Sequence, residues 1–476
     1  MKKIDWKLCK EQNCGIVKDD VYGGFVEHLG RNVYGGVYDP GSPAADEDGF
    51  RKDVLELVRN LDMPITRYPG GCYVDFERWE DGIGPERKGR IDPAWYQLEP
   101  HTFGLNEFMK WTRKANTKPL MTINVSCRTL IDTLNIYEYC NFPGGTWWSD
   151  LRRSHGYEEP WNVKNWCIGN ELYGNWEMGQ MSAEEYGRIA REHAKTLKKV
   201  DPDCRIIVSG MPRDLEWNKT VLDICGRFVD VLSIHDSFRP QKHTDQYLKT
   251  VDAFEDDLSA VIRICQGYSA MLNRRISVSV DEWIIWDFNR RMRDGEKWTV
   301  GPHLLEQDYN IQESLIAGSL FSLFHRHASD IDIACIAQSV NVIAPIRTEP
   351  DGTSWKQTLY YPFELTSRYG RGLSLVPEET GNEDKDLYGS AVFNEERNET
   401  ALFLINRSGE KVQFSAACPG AAGVADSVTM FSEDLTAVNG PGCDRIHPVP
   451  LQTAFDGAVS AELPPYSWSM IRVKLG

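Results

Sequence analysis

The sequence predicts an α/β chain, a (β/α)8 TIM barrel with a C-terminal β-sandwich domain. Three observations predict it. Eight short β-rich runs alternate with longer amphipathic stretches. The pattern then changes, after residue 375, to strand-like runs without a good helix. The length of 476 residues is too great for one small core and suits a large barrel with an appended domain.

The eight runs are "YGGFVEH" (22 to 28), "ITRYPGG" (65 to 71), "PLMTINV" (119 to 125), "NWCIGNE" (165 to 171), "RIIVSG" (205 to 210), "DVLSIHD" (230 to 236), "ISVSVDEW" (276 to 283) and "ACIAQSV" (334 to 340). Each is apolar or β-branched and is bounded by turn-forming or polar residues. The clearest helix between them is "SAEEYGRIAREHAKTLKKV". There Ser182 and Glu185 form a capping box, and Tyr186, Ile189, His193, Leu197 and Val200 recur at helical spacing. Beyond residue 375, "GSAVFN", "ALFLINRS" and "SWSMIRVKL" are separated by Gly, Pro and Asp. The first 15 residues precede the barrel and are expected to add a strand to the sandwich. The division is therefore 16–375 for the barrel, and 1–15 with 376–476 for the sandwich. No internal repeat or low-complexity linker interrupts it.

A formal net charge of −17 argues against nucleic acid or an anionic membrane as partner. Such a surface repels phosphates over a Debye length of about 8 Å at physiological salt. A neutral or small substrate is expected. The start "MKKIDWKLCK" has no apolar signal core, and no run of about 18 apolar residues follows, so neither export nor membrane insertion is expected. The 12 cysteines include no Cys-x-x-Cys pair, and several lie inside apolar runs. They read as reduced thiols of a cytoplasmic protein.

In a (β/α)8 barrel, chemistry sits at the C-terminal ends of the strands. The polar residues closing these runs are Glu27, His28, Arg67, Asn124, Asn170, Glu171, His235, Asp281, Glu282 and Gln338. Glu171 ends the fourth run and Glu282 lies near the end of the seventh, so both should face one pocket. Two carboxyls on one substrate are the minimal equipment for glycoside hydrolysis: one donates a proton to the leaving oxygen, the other attacks the anomeric carbon or activates water. Tyr173, Trp176, Trp283 and Trp286 would supply apolar platforms for sugar faces. A lone strand-end Glu is more often a salt-bridge partner, and a lone His a hydrogen-bonded core residue; the coincidence of so many favours a site. Arg67 beside a carboxylate would hold it ionised. "HRH" at 325 to 327 falls in a helical run where i and i+2 point apart, so it is not read as a metal pair. The "YGG" segments lack phosphate-loop spacing, and no nucleophile-elbow signature occurs. Neither metal nor cofactor is expected.

"YGGFVEHLGRNVYGGVYDPGSP", "RYPGG", "RWEDGIGP", "YCNFPGGTWWSDLRR", "WCIGNE", "DEW", "QSVNVIAPI" and "LPPYSWSMIRV" resemble the sequence blocks of glycoside hydrolase family 51, the retaining α-L-arabinofuranosidases. The resemblance runs almost end to end. It implies a jelly-roll-like sandwich, removal of terminal α-L-arabinofuranosyl units from an oligosaccharide or glycoside, and a cytoplasmic homo-hexamer. It also implies Glu171 as acid/base and Glu282 as nucleophile. Glu27, Asn170 and Gln338 would be sugar-binding, Arg67 and His235 would support the nucleophile, and Trp176 would border the leaving group.

Three positions, in two places, depart from the family pattern. Cys72 stands where many members carry Asn, and Asp236 and Ser237 stand where tyrosines are usual. Substrate-binding positions thus include Cys72 and Ser237, and the pocket is expected to be wider and to admit a stereochemically related furanose such as β-D-galactofuranose. The alternatives are β-xylosidase or endo-β-glucanase activity, or a non-catalytic sugar-binding relative. Retention requires carboxyls about 5 to 5.5 Å apart. Glu171 is expected to be the raised, protonated carboxyl.

Overall fold

The computed structural model describes residues 2–287 and 296–476. Eight parallel strands form the barrel: β1 (Gly24–Phe25), β2 (Ile65–Tyr68), β3 (Lys118–Ile123), β4 (Asn165–Ile168), β5 (Arg205–Ser209), β6 (Val231–Phe238), β7 (Ser277–Ile285) and β8 (Ile331–Ile336). They are hydrogen-bonded in chain order. The ring closes between its ends, with Gly23 N donating to Ala334 O at 2.8 Å and Ile336 N to Gly23 O at 3.1 Å. A Cβ on Gly23 would lie 2.6 Å from Cys335 Sγ, so this closure requires glycine. All eight anticipated strands form, but the first is cut to two residues. Tyr22 belongs to a 3-10 turn, and the Glu27 amide leaves the ladder to donate to Asn32 Oδ1 at 3.0 Å.

Alternation along each strand separates two apolar layers. Phe25, Ile65, Leu120, Cys167, Ile207, Val231, Ile333 and Cys335 fill the barrel interior. Trp166, Ile168, Val208, Leu232, Ile234 and Val280 face the surrounding helices. The helix after β4 spans Ala183–Val200, and its capping box forms as read, Glu185 N donating to Ser182 Oγ and Ser182 N to Glu185 Oε2.

Of the remaining described strands, twelve form two sheets of five and seven, and four pair as two short two-stranded ribbons. Lys2–Lys7 lies parallel to Val412–Ala417, placing the N-terminus in the five-stranded sheet. Asn13–Ile16 and Leu373–Leu375 pair within the seven-stranded sheet. Ile4, Trp6, Leu402, Leu404, Phe414 and Ile471 pack between the sheets. The sandwich docks on the helix Ile311–Arg326. His325 there is buried and bridges Tyr22 Oη at 2.6 Å and Ser390 Oγ at 2.8 Å, while His327 turns to Glu255 at 3.3 Å. The two imidazoles of "HRH" therefore serve separate partners. All 12 cysteines are free thiols, seven of them buried. Among the described residues, no helix is long and apolar enough to cross a membrane.

Candidate active site

Glu282 reaches the pocket through a β-bulge. Between β6 and β7 the register shifts by one residue, Ser233 standing opposite Ser279 but His235 opposite Glu282. Val280 and Trp283 both pack outward, so the extra residue turns Asp281 and Glu282 inward together. Arg67, one turn of the pleat above Ile65, meets both. Its Nη1 donates to Glu282 Oε2 at 2.8 Å, its Nε lies 3.2 Å from Asp281 Oδ2, and its Nη2 donates to Asn170 Oδ1 at 2.8 Å. Asp281 also accepts from Ser233 and Ser279.

Glu171 follows the end of β4 with φ of 39°, in the left-handed region that a residue with a Cβ adopts at a cost. This backbone turns its carboxyl toward β6 and β7. Glu171 Oε1 accepts from His235 Nδ1 at 2.8 Å and from Tyr173 Oη at 3.2 Å, and Oε2 accepts from Trp176 Nε1 at 2.7 Å. His235 Nδ1 is also 3.5 Å from Glu282 Oε2. One carboxylate oxygen of Glu171, one of Glu282 and a His235 ring nitrogen lie within 4.8 Å of one another. Two acids far apart in the chain thus face each other across one imidazole.

The electrostatics differ from the expectation for Glu171. Burial pushes its carboxyl up, but the hydrogen bond and charge of His235, with those of Trp176 and Tyr173, outweigh burial and hold it below the usual range. Glu282 is raised: burial pushes it up, and the nearby Glu171 and Asp281 charges add to this against His235 and Arg67. His235 is disfavoured as a cation by burial, yet Glu282 and Glu171 together raise it above its ordinary value. Against the expectation for Glu171, the directions of both shifts favour the proton on the His235 side of their hydrogen bond.

The opposite wall is built around Glu27. Gln338 Nε2 donates to Glu27 Oε2 at 2.6 Å, Trp95 Nε1 to Oε1 at 3.0 Å and Tyr73 N to Oε1 at 3.3 Å. A Cβ on Gly71 would sit 2.6 Å from both Glu27 oxygens, so the Pro-Gly-Gly turn is shaped to let this carboxyl approach the backbone. Burial, with the Glu282 charge second, pushes Glu27 up to about 8. Half-buried Cys72 follows this turn, and its thiol is pushed up by burial and by Glu177, Glu171 and Glu27.

Several strand-end residues serve the frame instead. Asn124 donates to the carbonyls of Asp75 at 2.9 Å and Glu77 at 3.3 Å, tethering a loop. His28 is buried between Glu99 (2.7 Å) and Tyr68 (2.9 Å). Trp283 is no sugar platform: it is 1% exposed and meets Phe321 edge-on behind the barrel at 5.6 Å. Trp176 is 55% exposed at the rim, with Gly174 packed against its ring. Asp236 points away, paired with Arg213, while half-buried Ser237 continues the inward alternation of Val231, Ser233 and His235. Three residues escaped the sequence reading. Trp95 comes from a hairpin linking Arg90–Asp92 to Gln97–Glu99, Asp75 from the turn Cys72–Phe76, and Glu177 from the loop after β4. None of the three carried a signal of its own, although Glu177 lies only six residues beyond Glu171.

Glu171, His235 and Glu282 could geometrically hold a cation. However, His235 already donates to Glu171, and Arg67 supplies the charge opposite Glu282. The donor set fits a hydrogen-bonded acid cluster better than a metal centre. Asp46, Glu47 and Asp48 also cluster, and Lys114 bridges all three.

Residues 57–255 match the sequence model described as α-L-arabinofuranosidase 1 domain, and residues 281–467 that described as α-L-arabinofuranosidase C-terminal domain. The intracellular exo-α-(1→5)-L-arabinofuranosidase of Acetivibrio thermocellus is 38% identical over 501 residues, covering 99% of this chain and 100% of the relative. The solved family 51 α-L-arabinofuranosidase from Bifidobacterium longum superposes with a TM-score of 0.95 at 31% identity, over 99% of this chain and all of that one. The Thermotoga maritima α-L-arabinofuranosidase in complex with arabinose gives a TM-score of 0.89 at 31% identity, with both chains fully covered.

Proposed function

The chain belongs to glycoside hydrolase family 51 and is a glycosidase; on that premise we propose that it is a retaining, exo-acting α-L-arabinofuranosidase working by two-glutamate double displacement. The observation that carries this reading is the approach of Glu171 and Glu282 oxygens to within 4.8 Å around His235. Direct attack on a sugar carbon needs carboxyls about 5 to 5.5 Å apart, whereas a water-mediated inversion needs about 6.5 to 9.5 Å.

In the first step a Glu282 oxygen bonds to the anomeric carbon, the glycosidic C–O bond breaks, and the leaving oxygen takes a proton from Glu171. The direction of the shifts makes Glu171 and His235 a single acid carrying one proton, delivered across their 2.8 Å hydrogen bond. In the second step water attacks the glycosyl ester, gives its proton back to Glu171, and frees Glu282. Arg67 balances the Glu282 carboxylate before attack and again as the ester is cleaved. Glu27, Asn170 and Gln338 offer polar atoms to the sugar hydroxyls, and Trp176 borders the leaving group. Cys72 and Ser237 form the small-residue walls.

Ser237 favours a second reading: an inward position with so small a side chain leaves room for a bulkier furanose, such as β-D-galactofuranose. The intracellular name of the Acetivibrio relative supports a cytoplasmic location, and the family resemblance a homo-hexamer. A panel of nitrophenyl furanosides and pyranosides, with the first-formed product anomer read by NMR, tests these points. Release from the α-L-arabinofuranoside with retained configuration is expected. An inverted product, or no furanoside cleavage, would defeat the reading. Ordinary efficiency on arabinofuranoside with none on galactofuranoside would defeat the wider pocket alone.

A further inference from the structure

Beside the two glutamates lies a second acid pair. Glu177 is 4% exposed and Asp75 is 1% exposed, and their carboxyls are in hydrogen-bonding contact with each other. Both Asp75 oxygens are buried, and the donors facing them are neutral, the Ser126 hydroxyl and the Met178 amide, whose contacts are too loose to count as full hydrogen bonds. The Asp75 backbone is fixed independently, its carbonyl accepting from Asn124 Nδ2 at 2.9 Å and Ser126 Oγ at 3.2 Å. The titratable groups facing the pair are Glu171 from the end of β4, Cys72 from the turn carrying Asp75, and Cys127 from the loop after β3, all of them acids. Two buried carboxyls in contact, with no cation between them, do not both ionise; one proton is held between them.

Glu177 Oε1 accepts from Asn170 Nδ2 at 2.9 Å, and Asn170 Oδ1 accepts from Arg67 Nη2 at 2.8 Å. These two bonds fix which end of the Asn170 amide points where. They leave one Nδ2 hydrogen as the only donor Asn170 offers a ligand. Arg67 then reaches Glu282 with its other terminal nitrogen at 2.8 Å.

We propose that Glu177, held by a shared proton against Asp75, is a positioning residue for the hydrolysis: it orients Asn170 and, through Asn170 and Arg67, the nucleophile Glu282. This rests on the double-displacement reading above. Deprotonation of the pair at alkaline pH would drive the two carboxylates apart and release Asn170. Burial raises both groups, and Asp75 and Glu171 raise Glu177 further, which puts this event on the alkaline side of the profile.

The test uses the full chain with Glu177→Gln, Asp75→Asn and Glu177→Ala, assayed on an aryl α-L-arabinofuranoside across pH. Each amide replaces the shared proton by a permanent N–H donor in the same shape. Glu177→Gln and Asp75→Asn should keep near-wild-type kcat/KM at neutral pH and carry their alkaline decline to higher pH. Glu177→Ala should lower kcat/KM about tenfold or more, because the sugar-binding amide is released, with Glu177→Gln restoring it. An alkaline limb unmoved in both amide variants, or wild-type kcat and KM in Glu177→Ala, would overturn the proposal. If Glu177→Ala does not fold, the isosteric amides decide it alone. Absence of furanoside cleavage by the wild type would overturn this and the functional reading together, whereas unchanged variants of an active wild type overturn only this.

Discussion

The barrel interior has two storeys built on the same strands, and they obey opposite rules. In the lower one, Phe25, Ile65, Leu120, Ile207 and Ile333 bury hydrocarbon against hydrocarbon. Each such side chain contributes about 1.5 to 3 kcal/mol to folding. In the upper one, Glu27, Arg67, His235, Asp281 and Glu282 are all under 10% exposed and bury ionisable groups, Arg67 and Asp281 as an ion pair. Desolvating each ion costs several kcal/mol and is recovered only through tight pairing. The alternation that directs Ile65 inward directs Arg67 inward two residues later. Stability is therefore concentrated below, and chemistry above is carried at its expense.

The widest separation should come from truncating one residue in each storey. Glu282→Ala is expected to lower turnover by on the order of 10⁴-fold or more. It should leave stability changed by less than Ile207→Ala, because Arg67 keeps Asp281 as partner. Ile207→Ala should cost about 2 to 5 kcal/mol with the folded fraction still active. Denaturant titrations beside kinetics on both variants check this, and a Glu282→Ala protein as unstable as Ile207→Ala would erase the distinction.

Removing the cation instead of the anion sharpens it. Arg67→Ala strands Asp281 and Glu282 in a buried site and should lower stability by about 3 to 5 kcal/mol, besides impairing catalysis. Unfolding free energy equal to wild type would show that the upper storey is solvated.

The smallest effect concerns pH. His235 is raised above its ordinary value of 6.5 in the fold. Its contribution to stability is thus fully present below about 6.5 and is lost as pH rises through the folded value. Glu171 is lowered from 4.5, so its contribution is present above that value and is lost as pH falls through the folded one. Unfolding free energies measured from acid to alkaline should show both slopes in the wild type, and His235→Gln should reduce both, because His235 is also the main cause that lowers Glu171, while the raised carboxyls of Glu27 and Glu177 keep part of the alkaline slope. An alkaline slope in His235→Gln as steep as that of the wild type would assign it elsewhere.

The barrel was legible in the sequence because apolar runs closed by polar residues mark strands directed at a pocket. Glu171, Glu282, Arg67 and His235 could be collected on that ground alone. What escaped depended on long-range geometry. The bulge that brings both Asp281 and Glu282 inward also sends Trp283 outward, so adjacency in "DEW" misled about the tryptophan. Trp95, Asp75 and Glu177 sit on loops whose local pattern carries no period, and only the folded chain brings them to Glu27 and Asn170. The protonation of Glu171 was misjudged for the same reason: it depends on His235, which is 64 positions away.

The most direct test of the carboxyl pair is to trap its ester. Glu171→Ala protein mixed with an aryl α-L-arabinofuranoside bearing a good leaving group should complete the first step and stall in the second, since no base activates water. Mass spectrometry of the digested protein should then find one pentosyl group on the peptide containing Glu282, at that residue. Aryl release without any adduct, or an adduct on a different side chain, would contradict the assignment of Glu282 as the nucleophile.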